Sequence, residues 1–327
     1  MTVTWMESFD NYNSTNNPNS AGGGYSSYPS GNVYATGRFG VGQCLDVSNA
    51  TIKYPVNGGS TTDQLSWGQA FKVASLNHEA VTLWSGGSIA GQLRINTSGA
   101  FEFWRGDFSA LLGTSAAGLV NTLSWNYIEM EWVKSATVGV AKVYLNGVLV
   151  LNLTNVNTGT LAVDALSTYW PQEYWIDDLY VTNTSTRLGE IRIDTIRPTA
   201  DTADKDWTPS AGTDNYAMVD EATFSTTDYL SSTTVGDKDY YALGDLSFEP
   251  ANIYAVRLLT LAKKDDATTR TFRGNIKSSS SEANGTTRGL GTSYTFYGDI
   301  FPTDPNGSIA WTQASINSLQ AGIEVVS

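Results

Sequence analysis

Between Leu123 and Asn183 the chain alternates apolar and polar residues with period two, turns on an Asn-Gly pair and alternates again. In Tyr127–Val133 the side chains of Ile128, Met130 and Trp132 share one face, and Glu129 and Glu131 share the other. That is the pattern of an antiparallel strand with one buried and one solvated face. Asn146-Gly147 reads as the tip of a tight hairpin, because Asn and Gly accept the positive φ such turns demand. Trp175-Ile176-Asp177-Asp178-Leu179-Tyr180-Val181 follows as a further strand, so the stretch is restricted to sheet.

The rest of the chain reads the same way. It holds 31 Gly and abundant Thr, Ser, Asn and Tyr, and its short apolar runs are broken by turn residues, which predicts an all-β protein. Strands are expected at Val3–Phe9, Phe71–Leu76, Ala80–Trp84, Gln92–Asn96, Ala100–Trp104, Tyr127–Lys134, Val138–Leu145, Val148–Leu153 and Tyr174–Thr182, enough for a sandwich. Residues 11–32, rich in Asn, Ser, Gly and Tyr, read as one long loop. With 327 residues and 41% hydrophobic composition the chain can bury two cores. Eight of the ten tryptophans precede residue 189, and the polar run Asn183–Arg187 marks the change, so domains are expected at 1–187 and 188–327. In the second, smaller domain Glu190–Arg197, Tyr216–Asp220, Lys238–Leu243, Ile253–Lys263, Thr269–Lys277 and Ser293–Phe301 read as strands. One short C-terminal helix, Trp311–Gln320, is expected to close at Gly322 before a last strand, Ile323–Val326.

Charge and motif content exclude several functions. The net charge is −13, and residues 1–189 carry 8 basic and 13 acidic side chains against 11 and 19 in 190–327. Neither half is a basic arm, so no nucleic acid and no anionic membrane surface is expected as a partner. No apolar run approaches the roughly 20 residues that span a bilayer. The start, Met1-Thr2-Val3-Thr4-Trp5-Met6-Glu7, lacks a basic and an apolar region, so no signal peptide and a cytoplasmic origin are expected. The single cysteine, Cys44, permits no internal disulfide and reads as a small buried hydrophobe. His78 reads as a turn residue, and no nucleophile elbow or phosphate-binding glycine loop is present. The nearest thing to a catalytic pair is Glu129 with Glu131. A retaining glucanase strand would carry a third carboxylate, so the two read as the solvent face of a strand and no catalytic residues are expected.

The tryptophan-led strand, the Asn-Gly hairpin and the Ile176-Asp177-Asp178-Leu179-Tyr180-Val181 strand together resemble the back half of a concanavalin A-like, laminin-G-type jelly roll. The order that follows is Leu188-Gly189-Glu190-Ile191-Arg192-Ile193, Arg197-Pro198-Thr199-Ala200-Asp201, Trp207-Thr208-Pro209, Asn215–Glu221, Asp228-Tyr229-Leu230, Ile253–Arg257, Lys263-Lys264-Asp265-Asp266, Trp311-Thr312 and Leu319–Glu324. It resembles a family of tailed-phage and prophage virion proteins with such a jelly roll at the N-terminus. The resemblance implies a non-enzymatic structural component of a bacteriophage particle, a head decoration or fibre protein made in the host bacterial cytoplasm and located on the virion. It implies capsid or tail proteins as partners and, by virion symmetry, a homo-oligomer such as a trimer. It carries over no catalytic residues.

The jelly-roll resemblance also frames two binding expectations. Period two places Asp177 with Leu179 and Val181 on an inward face, where a carboxylate needs donors or a cation. First and last strands pair in laminin-G-like domains, so Asp10 would approach, and Asp10, Asp177 and Asp178 become candidates for a structural Ca²⁺, with backbone N–H groups or an arginine as the other solution. The run Asp201–Asp206 reads as a solvated loop. The alternative function, a tail-associated or surface lectin binding host polysaccharide, rests on Tyr12, Tyr25, Tyr28, Tyr34, Trp170 and Tyr174 in expected loops of the jelly roll.

Overall fold

The computed structural model describes residues 2–13, 17–18, 24–28, 34–170 and 172–327, without the Trp170 side chain. Its regular secondary structure is nearly all β-strand. The chain forms two compact units, one of Met1–Asp10 with Tyr25–Ile193 and one of Asn11–Gly24 with Asp194–Ser327. The divide therefore falls beyond the polar run at 183–187, because residues 187–193 bond to the first unit. Part of the expected early loop belongs to the second, while its residues 14–16, 19–23 and 29–32 lie outside the described residues.

The first unit comprises β1 (Val3–Glu7), β2 (Tyr34–Thr36), β3 (Gln43–Asp46), β4 (Ala50–Pro55), β5 (Gln64–Val73), β6 (His78–Ser85) and β7 (Ser88–Ile95), then β8 (Phe101–Arg105), β9 (Ala110–Thr114), β10 (Asn126–Val133), β11 (Gly139–Leu145), β12 (Val148–Val156), β13 (Ala165–Trp170) and β14 (Tyr174–Thr182). One sheet runs β12-β11-β10-β5-β14-β3-β2 with β1 also on β14, and the other runs β4-β13-β6-β7-β8-β9. The pairs are antiparallel, and strands distant in sequence are interleaved, which makes the unit a jelly-roll sandwich. His78 opens a strand rather than sitting in a turn.

The core lies between the sheets. Ile128, Met130 and Trp132 of β10 and Trp67 and Phe71 of β5 point into it and are at most 1% exposed. Trp67 donates its indole N–H to the hydroxyl of Tyr54 on β4 at 2.8 Å, so the polar atoms of two of the largest buried rings satisfy one another across the sandwich. Cutting Trp67 back to Ala would cost about 3–5 kcal/mol through lost burial and the cavity left behind. Asn146 and Gly147 have φ of 50° and 80°, as the β11–β12 hairpin requires.

β14 breaks its own alternation. Asp177 pairs with Ala70 of β5 and Tyr180 with Gly68, so one extra residue is absorbed between them, with Asp178 at φ 48°. The free edge of β14 changes partner at this bulge, from β3 at Trp175 and Ile176 to β1 at Leu179–Thr182. The bulge reverses the phase, so Asp177 shares the outer face with Tyr180 rather than the inner face with Leu179 and Val181, correcting the period-two expectation.

The second unit has β15 (Pro198–Lys205), β16 (Thr208–Pro209), β17 (Leu230–Ser231), β18 (Lys238–Leu243), β19 (Val256–Ala262), β20 (Thr271–Ser278), β21 (Ser281–Asn284), β22 (Arg288–Gly289), β23 (Thr295–Phe301), helix α1 (Gln313–Asn317) and β24 (Gln320–Val325). Its main sheet is β15-β18-β24-β20-β21 with β22 on β20, beside a β19–β23 ribbon. Ile276, Phe301, Trp311, Ile316 and Leu319 form its core. Two expected strands are absent: residues 190–197 carry no strand, and Tyr216–Met218 form a 3-10 turn. Gly322 does not close the helix. It lies mid-strand in β24, where an added Cβ would stand 1.8 Å from the carbonyl oxygen of Asp239 on β18.

Candidate functional site

The outer face of the eight-stranded sheet carries the polar side chains of β10, β5 and β14, and much of it is covered by the chain itself. Glu129 is 1% exposed. Its Oε1 accepts from the Tyr180 hydroxyl at 2.7 Å and from the Gly189 N–H at 2.8 Å, and its Oε2 accepts from Arg187 Nη1 at 2.6 Å. Arg187 also lies 4.2 Å over the Tyr144 ring of β11. The Leu188 N–H donates to the Tyr180 hydroxyl at 3.0 Å, and Leu188 and Ile191 pack on Ala70, Tyr127 and Tyr180. Residues 187–193 thus form a strap across the face. Gly68 makes room beneath it, since a Cβ there would meet Tyr180 Cε1 at 2.4 Å.

This corrects the solvent-face reading of Glu129. A glycosidase carboxylate must be open to its sugar, and Glu129 spends both oxygens on donors from its own chain. Glu131 pairs with Lys142 at 3.4 Å.

Asp177 and Asp178 stand at the β14 bulge. Asp177 Oδ2 accepts from the Arg38 N–H at 2.8 Å and Oδ1 from the Asp178 N–H at 2.8 Å. Asp178 Oδ1 accepts from the Ile193 N–H at 2.7 Å, and Oδ2 lies 3.4 Å from Arg38 Nη1. Arg38 further bonds the Glu190 carboxylate and the Ile191 carbonyl, and it lies 4.9 Å over both Phe39 and Tyr127. Asp10 accepts from the Gln43 N–H at 2.6 Å. Burial, with the Asp178 charge beside it, pushes Asp177 well above the usual carboxylate range, and burial raises Asp178 by less. Burial, then Asp177, pushes the Cys44 thiol up to about 12, so it behaves as the expected inert small residue.

N–H groups and a guanidinium bond all three carboxylates, which is the other solution the sequence allowed for this set. Among the described residues no cluster of three or more His, Cys, Asp or Glu side chains has a geometry to hold a metal.

The five aromatic candidates whose side chains are described do not assemble into one platform. Tyr12 and Tyr174 are fully buried and Tyr28 is 7% exposed. Tyr12 packs edge-on against Phe296 in the second unit, and the Tyr174 hydroxyl accepts from Gln69 Nε2 inside the sandwich at 2.5 Å. Tyr25 packs edge-on against Trp5 and Tyr28, whose hydroxyl meets that of Tyr34 at 3.1 Å. These rings pack on one another with their hydroxyls bonded, as expected of apolar faces with one polar tip each. Trp170 ends β13, and its side chain lies outside the described residues.

A different aromatic group is open. Lys72 of β5 pairs with Trp175 of β14, and its ammonium lies 4.6 Å from the Trp175 ring centre and 5.4 Å from that of Trp125, just before β10. The three side chains cross adjacent strands in one half-exposed row. Lys72 makes no ion pair among the described residues; its charge is answered by the two indoles. The sequence does not reveal that Trp125 and Trp175 flank one lysine, because only the β10–β5–β14 register brings Lys72 between them. A shallow polar recess lined by Thr62, Asp63, Gln64, Val133, Lys134 and Asn183 lies elsewhere on this unit.

No protein-family model and no curated protein matches the sequence. Among solved structures the chain is similar to domain 4 of AbnA, an extracellular arabinanase of Geobacillus stearothermophilus in complex with arabinotriose, at 20% identity over 57% of this chain and 94% of that one, TM-score 0.40. It is similar to the alginate lyase Aly36B at 14% identity over 60% and 100%, TM-score 0.34. It is also similar to the carbohydrate-binding module CBM66 of Bacillus subtilis at 9% identity over 48% and 94%, TM-score 0.34.

Proposed function

We propose that this chain is a non-catalytic glycan-binding protein and that the Trp125–Lys72–Trp175 row of its jelly roll is the contact surface. One observation carries the reading. Among the described residues, two large indoles and an ammonium with no ion-pair partner stand half-exposed on a sheet face where Leu188 and Ile191 of the strap cover Ala70, Tyr127 and Tyr180. Indoles offer apolar faces for the C–H faces of sugar rings, and a lysine offers three donors for ring substituents. The strap over Glu129 supports binding without hydrolysis.

The ordered segments of 188–327 that resemble tailed-phage virion proteins support a phage particle as the setting, as head decoration, fibre or tail component. In this reading the second unit is the anchor, capsid or tail proteins are its partners, and the assembled form is a homotrimer. Sedimentation of the full chain with host cell-wall polysaccharide tests the glycan reading. Wild type should cosediment, and the double variant Trp125→Ala/Trp175→Ala should remain in solution. Equal sedimentation of the two overturns the assignment of the row. Immunogold microscopy of phage particles tests the setting, which unlabelled particles would refute.

A further inference from the structure

The geometry points to an anionic group on the glycan, a carboxylate or sulfate on the sugar ring, as the feature that the Trp125–Lys72–Trp175 row selects. The inference rests on the glycan-binding reading above and goes beyond it by naming the ligand's charge. Lys72 is the reason. The chain holds 32 acidic and 19 basic residues, so an ammonium at its surface has many potential partners. Other cations on the same sheet face are paired: Lys142 with Glu131, Arg187 with Glu129, and Arg38 with Asp178 and Glu190. Lys72 instead stands between two indoles.

The next carboxylate along the row, Asp46, sits opposite Trp175 on β3, two strands from Lys72. Its Oδ1 accepts from the Ser48 N–H at 2.8 Å and from the Ser48 hydroxyl. Ring faces stabilise a cation without neutralising it. An approaching carboxylate or sulfate therefore meets a full positive charge with apolar walls on both sides, where the walls limit water and strengthen the contact. The negative net charge of the chain repels a polyanion at long range, but at physiological ionic strength that repulsion is screened beyond about 8 Å, so the local ammonium decides.

Three polymers separate the outcomes for the full chain in 0.15 M salt: polygalacturonate, its fully methyl-esterified form, which keeps the ring and removes the charge, and dextran sulfate. Polygalacturonate should bind at least tenfold tighter than the ester. Lys72→Met should reduce acid binding to the level of the ester, and Lys72→Arg should keep most of the preference. Tighter binding of dextran sulfate than of polygalacturonate makes sulfate the source of the charge; the reverse makes it a carboxylate. Equal binding of acid and ester, lost in Trp125→Ala/Trp175→Ala, overturns the charge inference and leaves the glycan reading standing. Binding to none of the three polymers, or acid preference untouched by Lys72→Met and Lys72→Gln with near-ultraviolet circular dichroism unchanged, overturns the inference outright.

Discussion

Glu129→Ala is the perturbation that most directly tests how the outer face is closed. The substitution removes the acceptor of three hydrogen bonds, from Tyr180, Gly189 and Arg187, two of them to strap residues. Hydrogen bonds to charged groups are worth about 1.5–3 kcal/mol each and are not additive, and removing one member of a buried ion pair costs about 3–5 kcal/mol. The Arg187 side chain is 27% exposed, so water recovers part of its loss. The expected cost is therefore about 3 kcal/mol. Glu129→Gln keeps an acceptor for Tyr180 and Gly189 but turns an amide toward Arg187, and about half that cost is expected. Guanidinium unfolding followed by tryptophan fluorescence reads the first unit, because eight of the ten tryptophans precede residue 189. Hydrogen exchange at the Leu188 and Gly189 amides reads the strap directly, with β20 amides as the internal reference. A cost below 1 kcal/mol together with unchanged exchange at both amides would refute the claim that Glu129 holds the strap.

Three further outcomes are expected. Burial, then Asp178, raises Asp177 to about 8 from 3.8, so the folded chain keeps a proton that the unfolded chain releases between those values. Stability from this group is present below about pH 4 and falls as pH rises toward 8; Tm from pH 5 to 8 should decline less in Asp177→Asn than in wild type, and equal slopes would refute the assignment. Gly322→Ala forces a Cβ onto the Asp239 carbonyl in the centre of the second sheet and should cost about 3 kcal/mol or more, read as early unfolding of the second unit. Asp239, fully buried, accepts from the Asp206 and Trp207 N–H groups, Asn215 Nδ2 and the Tyr241 hydroxyl. Asp239→Ala leaves those buried donors unmet, and a loss of about 3 kcal/mol is expected in denaturant titrations that follow hydrogen exchange at the second unit's β20 amides.

What was legible in the sequence and what was not divides along the range of the interactions involved. The alternation of β10 and the Asn146-Gly147 turn are local, and the structure has both. The phase of β14 is not local. It depends on β3 and β1 sharing one edge of that strand, a partner change that forces the bulge at Asp177–Asp178 and carries both carboxylates to the outer face. The strap shows the same limit more sharply. Arg187-Leu188-Gly189 has the composition of a linker, and nothing within several residues reveals its partners, because Glu129 precedes Gly189 by 60 positions and Arg38 precedes Glu190 by 152. The tyrosines in the early segment and at the start of β14 misled for the converse reason: loop-like composition hides rings that tertiary packing buries. The Trp125–Lys72–Trp175 row required both kinds of information. Its residues are 50 or more positions apart, yet strand spacing of about 4.8 Å makes them neighbours once β10, β5 and β14 are placed side by side. A surface of this kind is specified by register, so a slip of one residue in β5 would turn Lys72 into the core and dismantle the row while leaving the composition and alternation of every strand unchanged.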